Sequence, residues 1–247
     1  MSVYGGPDII TDGLVLHLDA ANRKSFPPDG TSIYWYDLSG NDHDAVAGSR
    51  GAIPSADSGP TGGFTFDGAD DYMSVGGISG DFSNLTVMIW FNPSSITNHE
   101  NVLDCNYSYN GVTGNIGPRL EMSSVGALRW IFSASTTNNS SFNGPYAVTA
   151  GNFNQSPNAN KWHFTAFTWD GTYGRTYYND SGPVQTTSST SWVEEITNVV
   201  IGKGFHLGGT ERAFTGKVAN IQIYNTTLSA DEIRQNYNAL KGRYGLT

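Results

Sequence analysis

The sequence predicts an all-β fold, an antiparallel sandwich of two sheets with one α-helix at its C-terminal end. Three observations support this prediction. The 247 residues include 30 glycines, 13% are aromatic and only 14% are charged, which is typical of many short strands joined by tight turns. Several short segments alternate apolar and polar residues with the period of a strand. One segment near the C-terminus instead has the spacing of an amphipathic helix.

The strand candidates follow one another along the chain. In residues 13–20, Leu14, Leu16 and Leu18 fall on one face, which is the period-two signature of a half-buried strand. Residues 85–93 are apolar on both faces, as expected of a central strand, and end in a proline. Further strand candidates are 62–75 (two strands around an acidic turn), 117–135 (two strands), 161–171, 174–187 (a hairpin), 198–204 and 216–225.

Residues 229–242 predict the helix. Ser229 and Glu232 fit a capping box, in which each side chain accepts a hydrogen bond from the other residue's backbone N–H. Gly242 is placed to end the helix. The apolar face that we expect to dock on the sandwich consists of Ile233, Tyr237 and Leu240.

The domain organisation follows from these elements. We expect an N-terminal arm at 1–12, a sandwich at 13–227 and the C-terminal helix at 228–247, with no internal repeat. The arm lacks a pattern of its own, so either a partner orders it or it pairs with its own sandwich. The segment 136–160 is rich in Asn, Ser, Thr and Gly and predicts an exposed loop.

Charge and composition exclude several classes of function. The formal net charge is -9, and without a basic stripe the chain cannot displace counterions from nucleic acid. No stretch approaches the roughly 18 apolar residues of a membrane span. Cys105 is the single cysteine, so no internal disulfide is expected. The N-terminus lacks the features of a signal peptide, which predicts synthesis in the cytoplasm without a classical export signal.

Five quoted segments carry a family resemblance. They are DGLVLHLDAANRKSF, WYDLSGNDHDA, GGFTFDGADDYMSV, HFTAFTWDG and GKVANIQIYNTTLSADEIRQNYNALKGRYG, in that order. Together they resemble the concanavalin A-like lectin/glucanase superfamily in its laminin-G-like branch, and the first and last resemble versions found in tailed-phage virion proteins. The resemblance implies a jelly-roll sandwich. Members of the superfamily include lectins, sialidase accessory domains, glucanases and virion proteins, so fold alone does not choose the function.

The stretch WYDLSGNDHDA, residues 35–45, permits two interpretations. Asx-type turn bonds to the local backbone would explain its Asp and Asn residues, and we then expect Trp35 and Tyr36 to be buried or half-buried beneath the turn. Alternatively, a structural Ca²⁺ would use carboxylate and amide oxygens from this loop and its neighbours. The candidate ligands for Ca²⁺ are Asp19, Asp37, Asn41, Asp44 and Asp67.

Catalytic patterns are weak. Glycoside hydrolysis needs two carboxyl groups roughly 5 to 9.5 Å apart, and the E-x-D-x-x-E pattern of the superfamily's glucanases is absent from the sequence. Glu121 is isolated, while Glu194 and Glu195 are adjacent and would face opposite ways on a strand. Exposed aromatic rings can instead stack on sugars. The aromatic residues that we expect near turns, and therefore in a glycan-binding role, are Tyr173, Tyr178 and Trp192.

Taken with the resemblance, these observations predict a non-enzymatic structural protein of a tailed-phage particle that displays a lectin-like domain on the particle surface. Its expected partners are other virion proteins, further copies of itself in a trimer, and host-surface glycans. No cofactor is required, and the structural Ca²⁺ considered above would be a supplement to the fold. The alternative is a glycan-acting enzyme or carbohydrate-binding module of the same superfamily. A cellular adhesin is a third class, disfavoured by the lack of a signal peptide.

Overall fold

The fold is described here from a computed structural model. The residues that it describes are 7–26, 33–48, 55–57, 61–96, 99–105, 116–123, 127–133, 148–150, 157–187, 196, 198–206 and 210–246. Within these ranges no helix combines the length and the apolar character that a membrane crossing requires.

The strands are short and separated by turns. In chain order they are β1 Leu14–Asp19, β2 Tyr34–Trp35, β3 Ala45–Ala47, β4 Ser55–Asp57, β5 Gly63–Asp67, β6 Met73–Gly76, β7 Leu85–Pro93, β8 Glu100–Cys105, β9 Ile116–Met122, β10 Leu128–Ser133, β11 Val148–Ala150, β12 His163–Trp169, β13 Tyr173–Tyr178, β14 Ser181–Thr187, β15 Asn198–Ile201, β16 Lys203–His206, β17 Thr210–Ala213 and β18 Thr215–Tyr224. The helix α1, Ala230–Leu240, follows and continues into a 3-10 helix, Lys241–Tyr244.

The strands form two large antiparallel sheets. Sheet I has the order β14-β13-β12-β7-β18-β5-β4, and β1 also pairs with β18. Sheet II has the order β11-β10-β9-β8-β15-β6-β3-β2. The strands β16 and β17 form a separate hairpin. The predicted all-β, antiparallel jelly-roll sandwich with one C-terminal helix is therefore confirmed.

The main core lies between the two sheets. Alternate residues of each strand point into it, such as Val87 and Ile89 from sheet I and Leu120 and Met122 from sheet II. A buried hydrogen bond also joins the sheets, because the Trp130 indole N–H donates to the Thr165 hydroxyl oxygen at 2.9 Å. Burying large apolar side chains typically contributes about 1.5–3 kcal/mol each, so this layer holds the two sheets face to face.

A second apolar layer lies on the outer face of sheet I, where α1 docks. Trp90 from β7 stacks on Tyr237 of α1 with ring centroids 5.6 Å apart, and on Tyr244 at 4.4 Å. The predicted docking residues Ile233, Tyr237 and Leu240 are all buried, which confirms that prediction. The outer face of β7 is apolar because this helix covers it, which explains why residues 85–93 are apolar on both sides.

The two ends of the helix differ in how well they were predicted. The capping box of Ser229 and Glu232 is present. The α-helix ends at Leu240 with Lys241 as its C-cap, directly before Gly242, close to the predicted end. The chain continues as the 3-10 helix, and the left-handed residue that ends it is Gly245, with a φ of 71°.

The N-terminal residues contact this same helix. The Ile10 N–H donates to Asn236 Oδ1 at 2.8 Å, and the Tyr224 hydroxyl donates to the Ile10 carbonyl oxygen at 2.9 Å. The Gln235 amide also donates to the Asp8 carbonyl oxygen. This part of the expected arm is therefore ordered by its own domain, while residues 1–6 lie outside the described ranges.

Several elements depart from the predicted pattern, and the short strands β2, β3 and β4 are the first of these, since no strand was predicted between residues 20 and 62. The strand expected at 198–204 divides at Gly202, whose φ of 83° is left-handed, into β15 and β16. The strand β8 and the hairpin partner β17 were not predicted. The segment 136–160 includes the short strand β11 and the ordered residues 157–160, while its remaining residues lie outside the described ranges.

Candidate functional site

The outer face of sheet II is the surface of the sandwich opposite the helix. The register of the strands determines which residues lie on it, because paired residues of neighbouring strands share a face. Val46 pairs with Ser74, Ser74 with Val200, and Val200 with Asp104. The outward-facing residues of this sheet are Tyr34, Val46, Ser74, Asn101, Asp104, Arg119, Glu121, Arg129, Ile131 and Val200.

Glu121 organises the middle of this face, and we call the group around it the Glu121 cluster: Glu121, Asp104, Arg119, Arg129 and Arg212. The Arg129 Nε donates to Glu121 Oε1 at 2.6 Å, and Arg129 Nη2 also contacts Oε1. Arg212 reaches over from β17 and donates through Nη1 to Oε2 at 3.2 Å. Arg119 Nε lies 3.7 Å from Oε2, so three guanidinium groups converge on one carboxylate.

The Glu121 cluster carries more positive than negative charge. Three guanidinium groups face two carboxylates, since Asp104 is the second acid and lies 3.8 Å from Arg119 Nη1. Burial lowers the pKa of Arg212, and the positive charges of Arg119 and Arg129 lower it further, against the opposing effect of Glu121. The guanidinium of Arg212 is therefore held in an environment that disfavours its charge.

Asn101 lies beside the cluster and pairs in register with Glu121. It is fully buried, and neither its amide nitrogen nor its amide oxygen has a hydrogen-bond partner in the described part of the chain. The hairpin residue Gly204 lies directly against it, because a Cβ at this glycine would come within 2.1 Å of Asn101 Nδ2. An unpaired buried amide typically costs about 1–3 kcal/mol, so its retention needs an explanation.

An aromatic pair lies at the far edge of the same face. Tyr34 on β2 stacks on Tyr36, with ring centroids 5.9 Å apart and an interplanar angle of 17°. Tyr34 is 40% exposed, while Trp35 points into the core and is fully buried. The prediction that Trp35 and Tyr36 are buried or half-buried is confirmed, since Trp35 is buried and Tyr36 half-buried. A stacked, exposed tyrosine pair offers an aromatic surface with a polar hydroxyl end.

The predicted glycan residues lie elsewhere. Tyr173 is half-buried on sheet I, with the Arg175 guanidinium 5.6 Å from its ring centroid. The expected exposure of Tyr178 is wrong, because this residue is only 6% exposed and its hydroxyl bonds to His163 Nδ1 at 2.7 Å. Burial raises the pKa of Tyr178 to about 12. Trp192 lies outside the described residues.

The loop at 35–45 uses its carboxylates as turn-forming acceptors. Asp37 accepts hydrogen bonds from the backbone N–H groups of His17 and Ser39 through Oδ1, and its Oδ2 accepts from the Ser39 hydroxyl. Asp44 Oδ1 accepts from the Asp37 N–H at 2.8 Å. The Asn41 amide nitrogen donates to the carbonyl oxygens of residues 14 and 15. These oxygens are engaged by N–H and O–H donors, so the turn interpretation fits the loop better than a Ca²⁺ site.

The two remaining calcium candidates do not join this loop. Asp19 forms an ion pair with Arg243 at 2.7 Å, which ties β1 to the 3-10 helix. Asp67 belongs to a different turn, where its carboxylate lies within 4.8 Å of those of Asp70 and Asp71. This is the one group of three such ligands among the described residues.

Asp71 makes that turn chemically suitable for a hard cation. It is 6% exposed, and its Oδ1 has no hydrogen-bond partner in the described ranges, while Oδ2 accepts from the Asp67 N–H. Burial raises the pKa of Asp71, and the charges of Asp67 and Asp70 raise it further. A Ca²⁺ ion bound by carboxylate oxygens would relieve this repulsion.

Nucleophilic chemistry is disfavoured at Cys105. The thiol is fully buried in the main core, and burial raises its pKa well above the usual value. Since the thiolate is the reactive form, Cys105 acts as a small core residue.

Sequence reasoning missed the Glu121 cluster and the Tyr34–Tyr36 pair. Arg119, Glu121 and Arg129 alternate along two predicted strands at 117–135, and this alternation was a usable signal for a charged face. Arg212 gave no signal, because its hairpin was not predicted. The position of Tyr34 beside the 35–45 turn also gave none, because exposure depends on which strand lies at the sheet edge.

The two packed sheets and the polar outer face define the class as a lectin-like β-sandwich. The chain belongs to the concanavalin A-like lectin/glucanases superfamily, whose family model matches residues 67–234. A comparison with curated proteins finds no match.

Solved structures share this fold. Domain 4 of AbnA, an extracellular arabinanase of Geobacillus stearothermophilus solved with arabinotriose, has a TM-score of 0.65 at 13% identity, covering 91% of this chain and 98% of its own. The botulinum neurotoxin serotype D ligand binding domain, solved with N-acetylneuraminic acid, has a TM-score of 0.60 at 17% identity, covering 92% of this chain and 51% of its own. The Trypanosoma rangeli sialidase solved with sialic acid has a TM-score of 0.61 at 17% identity, covering 94% of this chain and 33% of its own. This chain thus spans about half the length of the neurotoxin domain.

Proposed function

We propose that the chain is a non-enzymatic, glycan-binding domain displayed on a tailed-phage particle, and that it binds glycans on the outer face of sheet II. The stacked and partly exposed Tyr34–Tyr36 pair carries the proposal. The C-terminal helix covers the outer face of sheet I, so the aromatic surface of sheet II lies on the side of the sandwich opposite this helix. Sugar rings have apolar C–H faces that stack on such aromatic groups.

The comparisons support the binding part of this proposal at the level of the fold. The three solved relatives include proteins captured with arabinotriose, N-acetylneuraminic acid and sialic acid. At 13 to 17% identity they support only the shared architecture, and the ligand surface must be argued from this chain's own residues.

The state of the carboxylates supports a non-enzymatic role. A glycosidase needs one carboxyl group as a proton donor and a second as base or nucleophile. On the outer face of sheet II, Glu121 and Asp104 are buried, and both contact guanidinium groups. Neither carboxyl group is therefore exposed to a glycosidic oxygen.

The particle context rests on the resemblance of the first and last segments to tailed-phage virion proteins. In this context the chain would contact other virion proteins and further copies of itself in a trimer on the particle surface. Mass spectrometry and immunogold electron microscopy of purified particles test this part. Detection of the chain at regular sites on intact particles supports it, and its complete loss during particle purification contradicts it.

The glycan-binding part is tested separately with the purified protein on a glycan array. We expect binding to at least one saccharide class, competed by the same saccharide in solution. The same array solutions are then assayed for released reducing ends, which we expect to be absent. Release of sugar that stops after mutation of a single acid would show that the chain is an enzyme.

A further inference from the structure

Along one row of paired residues, the outer face of sheet II changes from accessible to buried. The row runs from Tyr34 through Val46, Ser74 and Val200 to Asp104. Tyr34 is 40% exposed, and Val46 and Ser74 are half-buried, whereas Val200 and Asp104 are each 4% exposed. A ligand that contacts this row therefore meets it at β2, β3 and β6.

The accessible end of this face has the shape of a step, which we call the tyrosine step. At the sheet edge, the rings of Tyr34 on β2 and of Tyr36 just beyond it stack on each other, while the outward residues at β3 and β6 have short side chains or none. The tyrosine step consists of Tyr34, Tyr36, Asp44, Val46, Ser74 and Gly76. Neighbouring strands lie about 4.8 Å apart, so the floor of the step extends roughly 10 Å from β2 to β6. This is the scale of a sugar ring with its hydroxyl groups.

Gly76 keeps the floor of the tyrosine step low. It is exposed, and a Cβ added to it would have no heavy atom within 4 Å. Its φ is not left-handed, and the pairings of β6 with β3 and β15 contain no register shift, so neither backbone strain nor a bulge requires a glycine here. A glycine in a strand often marks a place where a ligand approaches the backbone closely.

Asp44 supplies a hydrogen-bond acceptor at this floor. It directly precedes β3 and lies opposite Gly76, because Ala45 pairs with Val75 in the antiparallel register. Its Oδ1 accepts from the Asp37 N–H at 2.8 Å, and its Oδ2 accepts no hydrogen bond from the described residues. An ionised carboxylate only accepts hydrogen bonds, whereas a serine hydroxyl such as that of Ser74 both donates and accepts. The step therefore suits a ligand with hydroxyl groups.

We infer that the tyrosine step binds a pyranose ring of a neutral saccharide, with the ring over Gly76 and Val46 and its edge against Tyr36. The Asp44 carboxylate accepts a hydrogen bond from one sugar hydroxyl, and the Ser74 hydroxyl binds a second one. This inference rests on the proposed glycan-binding function and names the ligand class of that site. Saccharides that carry a carboxylate or sulfate on this ring are disfavoured, because they place a like charge beside Asp44.

The test measures binding by biolayer interferometry to the neutral polymers dextran, laminarin and galactomannan, to dextran sulfate, and to the members of the glycan array that bind. We expect at least one neutral saccharide to bind, and dextran sulfate to bind no more tightly than dextran. Asp44→Asn keeps an amide oxygen for the Asp37 N–H but loses the charge. It should therefore weaken neutral binding roughly tenfold, as loss of a hydrogen bond to a charged group would.

A size series at Gly76 tests the floor directly. Gly76→Ala adds little volume and should bind nearly as the wild type does, whereas Gly76→Leu fills the step and should weaken binding roughly tenfold or more. Both added side chains meet open space, so the melting temperature should stay unchanged. Gly182→Leu is the matched control, since Gly182 is also exposed with no heavy atom within 4 Å of an added Cβ, but lies on β14 of sheet I. This variant should bind like the wild type.

The outcomes also separate this inference from the proposed function. The inference is overturned, and the glycan-binding function left intact, by unchanged neutral binding in Asp44→Asn or Gly76→Leu, by equal loss in Gly182→Leu, or by binding confined to acidic saccharides. Absence of binding to every polymer and to every member of the array would overturn both.

Discussion

The two outer faces of the sandwich are built by the same strand geometry and end in opposite chemistry. On sheet I, the outward residues Met88, Trp90 and Phe164 are apolar, and the helix α1 buries them in a second core. On sheet II, the outward residues include Asp104, Arg119 and Glu121, whose polar side chains are buried in contact with one another. The difference teaches that two faces of equal burial can differ in chemistry, since one buries apolar side chains beneath a helix and the other buries charged side chains against one another.

The largest effect on stability is expected at the helix-covered face. Trp90→Ala removes the ring that stacks on Tyr237 and Tyr244, and such truncations typically cost about 3–5 kcal/mol because a cavity remains. Urea unfolding measures the loss. Arg234 lies on the same helix with its side chain 63% exposed, so Arg234→Ala should change the free energy of unfolding by less than about 0.5 kcal/mol. If the two variants unfold alike, the helix is not part of the cooperative fold.

The next largest effect is expected at Glu121. Glu121→Gln leaves three guanidinium groups around a neutral amide, and breaking a buried ion pair in this way costs about 3 kcal/mol. Asp231 pairs with Arg234 on the surface, and its side chain is 84% exposed. Asp231→Asn removes an equal charge from this exposed pair and should cost less than about 1 kcal/mol. Thermal unfolding at low and high salt compares them. A tolerated Glu121→Gln would mean that the cluster does not need its central carboxylate.

Calcium binding remains a prediction, and among the described residues the carboxylates that lie close enough together to share an ion are those of Asp67, Asp70 and Asp71. A ligand that binds only the folded state adds about 2.7 kcal/mol at a hundredfold excess over its Kd. We therefore expect CaCl₂ to raise the melting temperature relative to EDTA, and Asp71→Asn to abolish this shift. Asp37→Asn should keep it, since the Asp37 oxygens serve the turn at 35–45. Identical melting curves in calcium and EDTA would contradict the prediction.

The smallest effect is expected from the pH dependence of the free energy of unfolding, through two histidines on sheet I. Burial lowers the pKa of His163 and of His17 from 6.5, so the folded state prefers the neutral imidazole. Their contribution to stability is complete above about pH 6.5 and is lost as the pH falls through the lower folded-state pKa. Unfolding free energies at pH 7.5 and 5.5 should therefore differ less in His163→Gln than in the wild type. An unchanged difference would exclude His163 as a contributor.

The sequence predicted most of the fold because periodicity reports burial directly. Strand β7 is apolar on both faces and proved to be central, and the capping box at Ser229 correctly marked the helix start. The site was harder to predict, because it depends on which strands become neighbours. Glu121 looks isolated in the sequence, yet its hydrogen-bond partner Arg212 lies 91 residues away along the chain. Tyr178 looked like a turn residue and is instead buried against His163, because the hairpin turn begins one residue later.

The central claim is that glycans bind on the outer face of sheet II and not on sheet I. The most direct measurement is the affinity of one glycan, taken from the array, for the wild type and for the variants Tyr34→Ala and Tyr173→Ala, which remove one tyrosine ring from each sheet. The account predicts that Tyr34→Ala weakens binding roughly tenfold or more, as loss of about 1.4 kcal/mol would, while Tyr173→Ala binds like the wild type. The reverse result, with binding lost in Tyr173→Ala and retained in Tyr34→Ala, would place the ligand on sheet I and contradict the account.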